Sequence, residues 1–594
     1  MLLIVALVPL AIAPGLLSAF DITPKIAILL FCESAMLLFC KQLVNGVQVL
    51  FESAAGKLFA TLLAVQWLSS VASTLSSSNP ALSIYGSSWR RDGLIAETAI
   101  PLFAFIAAAW FAEDPRRPRV VLRTAALAGA AESLYGIAQY FGWDPFFPSK
   151  AYQSGEGPFT IVRPPGTLGH ADYFANWLVV VAFFALALSR QENDTRWKTT
   201  ARVSMMLAAF AIVLSGTRSA MLGLLTGAIL FIAMERPRLH PKIILASAAC
   251  LGLLYISPPG AKLRARVHWS LDDVRGGARM LLWRDSLHMA MHRPILGFGP
   301  ETFTAQFPPF ESVELSQAYP DFYHESPHNM FLDALTSRGL PGVLSLLALC
   351  ALAFWAARRN AVLAAALAGA IGCQQFMVLT IPTALYFYLL ISILIAATIP
   401  ARRVEPRKFP LALMPIAATI AIVFLVFAAR LTLADRAMAL AERRAASGDV
   451  QGASEAYRNV QRWTSGGDSD LRYSRAMTRL ATTTPVFAIS VAAAQQATES
   501  AIRATETAED RQNAWYNLAT IAALRNDRSG VEDGLRRAIV AAPTWFKPHW
   551  TLSQLLELTG RHTEARREAA IAMELNARHD PEVTATSQKI LSRP

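Results

Sequence analysis

The chain has 594 residues, 54% of them hydrophobic and only 16% charged, with a mean hydropathy of +0.35 and a formal net charge of +12. That is too apolar for an ordinary soluble protein and indicates a polytopic membrane protein. The positive charge follows from Lys and Arg retained beside spans on the cytoplasmic side, so no nucleic-acid partner is expected. Cys32, Cys40, Cys250, Cys350 and Cys373 all lie in apolar stretches without CxxC spacing, which points to packing residues and not to a disulfide framework.

In chain order, apolar windows near the length needed to cross the hydrocarbon core occur at 2–20, 22–40, 58–75, 94–111, 120–141, 173–188, 203–214, 220–234, 243–256, 340–356, 361–379, 384–399 and 411–429. They predict about thirteen spans. The first window has no basic residue ahead of it, unlike a cleavable signal peptide, and is read as a retained helix. Basic loops at 113–119, 190–198, 236–242, 358–359 and 402–408 alternate with the spans. One topology satisfies all five: the N-terminus is cytoplasmic, and 76–92, 142–170, 215–219 and a long polar insertion at 257–327 lie outside. With an odd span count, the region after 430 is also outside.

Beyond 429 the composition turns to alternating Ala, Arg, Glu and Gln with helical periodicity. Leu518, Ala519, Ala522, Leu535 and Ala538 recur 34 residues later as Leu552, Ser553, Leu556, Ala569 and Ala572, the spacing of tetratricopeptide (TPR) helix pairs. Leu440, Ala441, Ala453 and Tyr457 fit a weaker earlier copy, and 471–503 fits poorly. The expected organisation is a transmembrane domain at 1–430, with its large extramembrane loop at 257–327, and a TPR-like α-solenoid at 431–594. The concave side of such a solenoid offers a surface for a protein partner or a glycan.

This topology leaves Arg90, Arg91, Arg163, Arg218, Arg264, Arg266, Arg275, Arg279, Arg284 and Arg293 on the outer side, where short-loop arginine is disfavoured. Arg218 is the sharpest case, because it sits in a turn of a few residues between two spans, and a guanidinium at that depth needs a reason. Its planar donors suit phosphate oxygens; the competing reading is a lipid headgroup contact or a pair with Asp172. Arg279 and Arg284 flank Trp283 in a predicted amphipathic helix on the membrane surface. Arg163 precedes a tight turn into the sixth span, and Arg90 and Arg91 read as interfacial anchors. His328, just ahead of an apolar helix start, is placed to accept a hydroxyl proton. No histidine pair has metal-ligand spacing, so neither a metal nor another cofactor is expected.

At these residues the chain resembles the O-antigen ligase and polymerase superfamily of bacterial envelope glycosyltransferases. The likeness is carried by LSGTRSAMLGLL at 214–225, PILGFGPETF at 294–303 and HNMFLDALTSRGLPG at 328–342, with support at 83–93 and 166–176. It implies an all-α, GT-C-like helix bundle in the bacterial inner membrane. It also implies an inverting, metal-independent transfer from an undecaprenyl-pyrophosphate-linked glycan on the periplasmic face, among membrane lipids. By position, Arg218 matches an essential arginine of the family and His328 a proposed general base, while Arg279 matches a loop arginine less securely. Arg163 is carried as a further pyrophosphate contact. Where the family often has Asn-Pro-Asn, this chain has His170-Ala171-Asp172. The expected reaction is ligation to lipid A-core. Polymerisation onto a growing glycan, transfer to protein hydroxyls, and a lipid-linked glycan transporter are the alternatives; against the transporter, no inverted repeat is visible among the spans.

Overall fold

The computed structural model describes residues 1–39, 43–148, 151–154, 161–236, 241–272, 277–400, 413–464 and 468–593. Almost all the regular structure is helical; among the described residues the strands form one two-stranded hairpin, Gln153–Ser154 with Ile161–Val162. The all-α expectation therefore holds. Each of the thirteen apolar windows falls on a helix.

Among the described residues, eight helices are long and apolar enough for a full span: Ala54–Leu75, Leu94–Glu113, Arg117–Tyr140, Ala171–Gln191, Thr195–Ser215, Arg218–Glu235, Met330–Ala357 and Leu413–Ala446. The other five of the thirteen windows fall on shorter helices. Leu2–Leu10, Thr23–Leu38, Pro241–Ile256, Ala361–Cys373 and Ile381–Ala397 are shorter than that measure. At about 1.5 Å per residue, a 17-residue helix such as Ile381–Ala397 reaches roughly 25 Å against a hydrocarbon core of about 30 Å. The first window divides because Ala11 turns extended after Leu10.

Two helices form the centre of the bundle. Ala171–Gln191 and Ile381–Ala397 are buried along nearly their whole length, and Trp177 meets the Tyr386 ring at 5.1 Å. Small residues allow close approach around them: a side chain at Gly223 would strike Cys373 Sγ at 2.2 Å, where Arg218–Glu235 packs on Ala361–Cys373. Such contacts hold helices together in lipid, where the hydrophobic effect supplies little.

The described parts of the basic loops gather at one end of the bundle. Arg190 pairs with Glu235, and both line a cavity with Arg358 and Arg359. The predicted 402–408 loop and most of 236–242 lie outside the described residues.

The four expected outer segments meet at the other end. The insertion is tied down where Met330–Ala357 breaks at Gly339, whose backbone is non-helical. Residues 294–299 take the hydrogen bonds the break releases: Leu340 N–H donates to the Pro294 carbonyl at 2.7 Å, and Phe298 and Gly299 donate to the Thr336 and Ser337 carbonyls at 2.9 and 3.0 Å. Gly299 has φ +108°, and a Cβ there would lie 2.5 Å from Ser83 Oγ. Within the insertion, Leu282, Met289, Phe298, Phe303, Phe307 and Leu315 bury one another in a small core of their own. The predicted surface helix runs Arg279–His292, and Met280, Met291 and Ile295 beside it stay exposed.

The 34-residue helix Leu413–Ala446 is about 50 Å long and carries the chain out of the bundle. Helix pairs follow from Val450–Trp463 to Pro581–Leu591. Ala519, Leu535, Ala538, Leu552, Leu556, Ala569 and Ala572, all repeat positions, are buried. This region lies against the insertion: Ser316 Oγ donates to the Thr544 carbonyl, Thr544 Oγ1 donates to Glu311 Oε2 at 2.7 Å, and Trp545 Nε1 donates to Asp321 Oδ1 at 3.2 Å. It also reaches the first outer loop, where Ser88 N–H donates to Glu509 Oε1 at 2.7 Å.

Candidate active site

The site is built on the turn between Thr195–Ser215 and Arg218–Glu235. Gly216 ends the first helix in the left-handed region at φ +61°, and a Cβ there would meet Arg266 Cγ at 2.5 Å. Arg266 comes from the insertion and donates from Nε to the Gly216 carbonyl at 3.1 Å, so the loop closes over the turn. Thr217 does not cap the second helix with its side chain; its hydroxyl donates to Asp172 Oδ1 at 3.0 Å. Arg218 is therefore the first residue of a helix whose N-terminal dipole already favours an anion.

Asp172 is the centre of the cluster. His170 Nδ1 accepts the Asp172 N–H at 3.2 Å and begins the buried helix Ala171–Gln191. Arg163 forms an ion pair with the Asp172 carboxylate, and the charges of His170 and Arg279 also act on it. Arg163, nine residues away in sequence, thus pairs with the same Asp172 that was weighed as a partner for Arg218.

His328 enters from the insertion side with φ 50°. Ser326 Oγ lies 3.4 Å from its Nδ1 and accepts its backbone N–H at 3.3 Å. Trp283 Nε1 donates to the Pro327 carbonyl at 3.1 Å, and Asn329 caps Met330–Ala357 through Phe331 N–H at 3.0 Å. The backbone on either side of the imidazole is held. Burial and then Arg279 push His328 down to about 4, so its ring is neutral at physiological pH. Arg279, half-buried over the Phe376 ring, acts on both Asp172 and His328. Arg163, Arg279 and His328 thus gather from separate segments near the Asp172 carboxylate, and Arg218 directly follows Thr217, whose hydroxyl is hydrogen-bonded to that carboxylate.

Other arginines are placed elsewhere. Arg90 is not an interfacial anchor: it is buried, with Nε donating to Glu301 Oε1 at 2.7 Å and Nη1 to Asp333 Oδ2 at 3.1 Å. Glu301 also accepts the Ser87 N–H at 3.1 Å, which ties the first outer loop to the insertion. Arg91 donates to the Gly86 carbonyl, Arg264 to the Ser257 carbonyl, and Arg293 to the Ser76 carbonyl. Arg284 donates to Ser312 Oγ at 2.7 Å and serves the insertion's own fold. Arg275 lies outside the described residues.

One group was missed at the sequence level. Burial, then Glu301 and Asp468, push the Glu325 carboxyl up to about 7, three residues from His328. Its polar neighbourhood gave no local signal, because the groups that perturb it are distant in sequence. No group of three or more His, Cys, Asp or Glu suited to a metal occurs among the described residues.

No curated protein matches the chain. The family model described as O-antigen ligase matches residues 203–347, a stretch that contains the turn at Arg218, Arg279, the 294–299 reversal and His328. That stretch of the chain is similar to the O-antigen ligase family, and it lies within a bundle of helices long and apolar enough to cross a membrane.

Proposed function

We propose that this protein transfers a glycan from an undecaprenyl-pyrophosphate carrier to an acceptor hydroxyl at the periplasmic membrane face, as a ligase acting on lipid A-core. The observation that carries the reading is the convergence of Arg163, Arg279, Asp172 and a neutral His328 near the turn that leads into Arg218.

The donor is already activated, so the protein has to bind a diphosphate, neutralise the charge it gains and orient the incoming alcohol. Arg218 and Arg279, with the helix N-terminus at Arg218, hold the pyrophosphate. Arg163, fixed on Asp172, keeps the arginines and the turn in register. His328 Nδ1 faces Ser326, which leaves Nε2 for the acceptor. The acceptor oxygen forms a bond to the anomeric carbon as the bond from that carbon to the pyrophosphate oxygen breaks. The electron pair leaves with the pyrophosphate and the hydroxyl proton passes to His328 Nε2. A single direct displacement inverts the anomeric configuration. No cofactor is needed in this reading, since the guanidiniums supply the positive charge.

The outer face in this reading is periplasmic, with the N-terminus in the cytoplasm and the helical region from 431 also periplasmic. Its contacts with the insertion support a shared side. The test is purified protein with undecaprenyl-pyrophosphate glycan and lipid A-core. A new glycosidic product is expected; flipped lipid without product would overturn the reading. Deleting the gene separates the acceptors: lipopolysaccharide that loses all its long-chain glycan marks a ligase, single-repeat capping a polymerase, and loss of glycoprotein bands a protein acceptor.

A further inference from the structure

We infer that the cavity between the insertion and the C-terminal helices is a saccharide-binding subsite, which holds sugar units of the glycan at a distance from the reacting carbon. The inference rests on the glycosyl-transfer reading and names where its substrate is gripped. The cavity measures about 420 Å³, within the roughly 300 to 1,000 Å³ of small-molecule sites.

Its walls have the two chemistries a sugar ring needs. Tyr516 and Trp545, from the helical region, lie 5.1 Å apart with their planes inclined at 56°, an aromatic corner against which the C–H face of a pyranose packs. Hydrogen-bonding groups surround that corner. From the insertion, Thr304 and His324 are both buried and both line the cavity, and neither Thr304 Oγ1 nor His324 Nε2 has a hydrogen-bond partner among the described residues. His324 Nε2 lies 3.5 Å from Glu311 Oε1 without completing a hydrogen bond. Buried polar atoms left this way are costly unless something else satisfies them. Hydroxyls at the rim of a sugar act as donor and acceptor and meet both needs.

The charged groups of the lining, Arg475 and Lys547 against Asp321 and Glu311, balance one another, and Arg475 is engaged with Asn513. Asp321 and Glu311 both line the cavity, Asp321 already engaged with Lys547 Nζ at 2.5 Å and Glu311 with Thr544, which locks the two walls together before any ligand arrives. A diphosphate belongs with the arginines of the other site. The two sites are nonetheless joined: His324 lines the cavity and His328 lies four residues along the same segment.

The test uses the full-length protein in nanodiscs and calorimetric titration with the oligosaccharide freed by mild acid from the host's own lipid carrier. Binding to the wild type is expected, weakened about tenfold or more by Trp545→Ala and several-fold by Thr304→Val. Thr304→Val removes only an unpartnered hydroxyl, so its melting temperature should not fall. It decides the matter if Trp545→Ala fails to fold. In the transfer assay, Thr304→Val should raise KM by more than it lowers kcat. A rise confined to the lipid-linked donor assigns the subsite to donor sugars; one confined to the acceptor assigns it to acceptor sugars. No binding to the wild type, or equal binding to Thr304→Val, would overturn the subsite. Glycan binding with no transfer by the wild type would instead remove the transferase reading and leave the subsite standing.

Discussion

Two arginine clusters lie at the same end of the bundle and differ in what encloses them. Arg90 sits buried between Glu301 and Asp333, and its surroundings join the first outer loop, the insertion and the helix Met330–Ala357. Arg163 and Arg279, near Arg218, are only half-buried around Asp172. The side chains make the contrast plain: Arg90 is 5% exposed and Arg163 is 29% exposed. A buried guanidinium held between two carboxylates acts as a structural clamp, whereas the less buried arginines lie beside a helix N-terminus, whose dipole favours an anion.

Substitutions separate the two roles. The largest expected effect is at the clamp: Arg90→Ala leaves Glu301 and Asp333 buried without their cation, at a cost of about 3 to 5 kcal/mol. Thermal unfolding and size-exclusion profiles should show loss of folded protein; a well-folded but inactive Arg90→Ala would move Arg90 into the catalytic site. Next is Arg279→Ala, for which a roughly 10²-fold fall in kcat is expected with folding intact. A fall confined to stability would return Arg279 to surface anchoring. The same variant tests the coupling to His328. Arg279 is the second cause, after burial, that lowers the His328 pKa, so removing it should raise that pKa.

The pH profile follows with its sign. His328 acts as a base only when neutral, and its folded-state value of about 4 keeps it neutral through the mildly acidic range. The acid limb of kcat/KM, which reports the free enzyme, should therefore fall near pH 4 and not near the ordinary histidine value of about 6.5. Bound pyrophosphate offsets Arg279, so the limb in kcat should lie higher. An acid limb near pH 7 that disappears in Glu325→Gln would assign the base to Glu325. The smallest effect is expected at Trp283→Phe, which removes the donor to the Pro327 carbonyl and should cost about 0.5 to 1.5 kcal/mol. That measurement reads how far the backbone before His328 depends on the insertion.

What the sequence displayed and what it concealed divide along contact range. Helices are local objects, so all thirteen apolar windows met a helix, and the period of 34 located buried positions such as Leu535 and Ala569. Lengths were less legible, because apolar residues continue past a helix end, as they do after Leu10 and Cys373. The break at Gly339 was hidden for the opposite reason: the bonds around it are made with Pro294, Phe298 and Gly299, outside the window altogether. Arg218 and His328 stood out by type and place alone. Arg90 was misread because its acidic partners lie 211 and 243 residues away, and no local pattern announces a pair at that distance. The cavity beside Tyr516 and Trp545 was equally silent, since it exists only where two regions meet.

The account turns on Arg218 and His328 serving one reaction at one face. The most direct test is product formation by purified Arg218→Ala and His328→Ala, each shown to be inserted and folded, with undecaprenyl-pyrophosphate glycan and lipid A-core. Each should lose at least about 10²-fold in turnover, the range expected for removing a general base or a transition-state cation. Near-normal product from both folded variants would contradict the assignment.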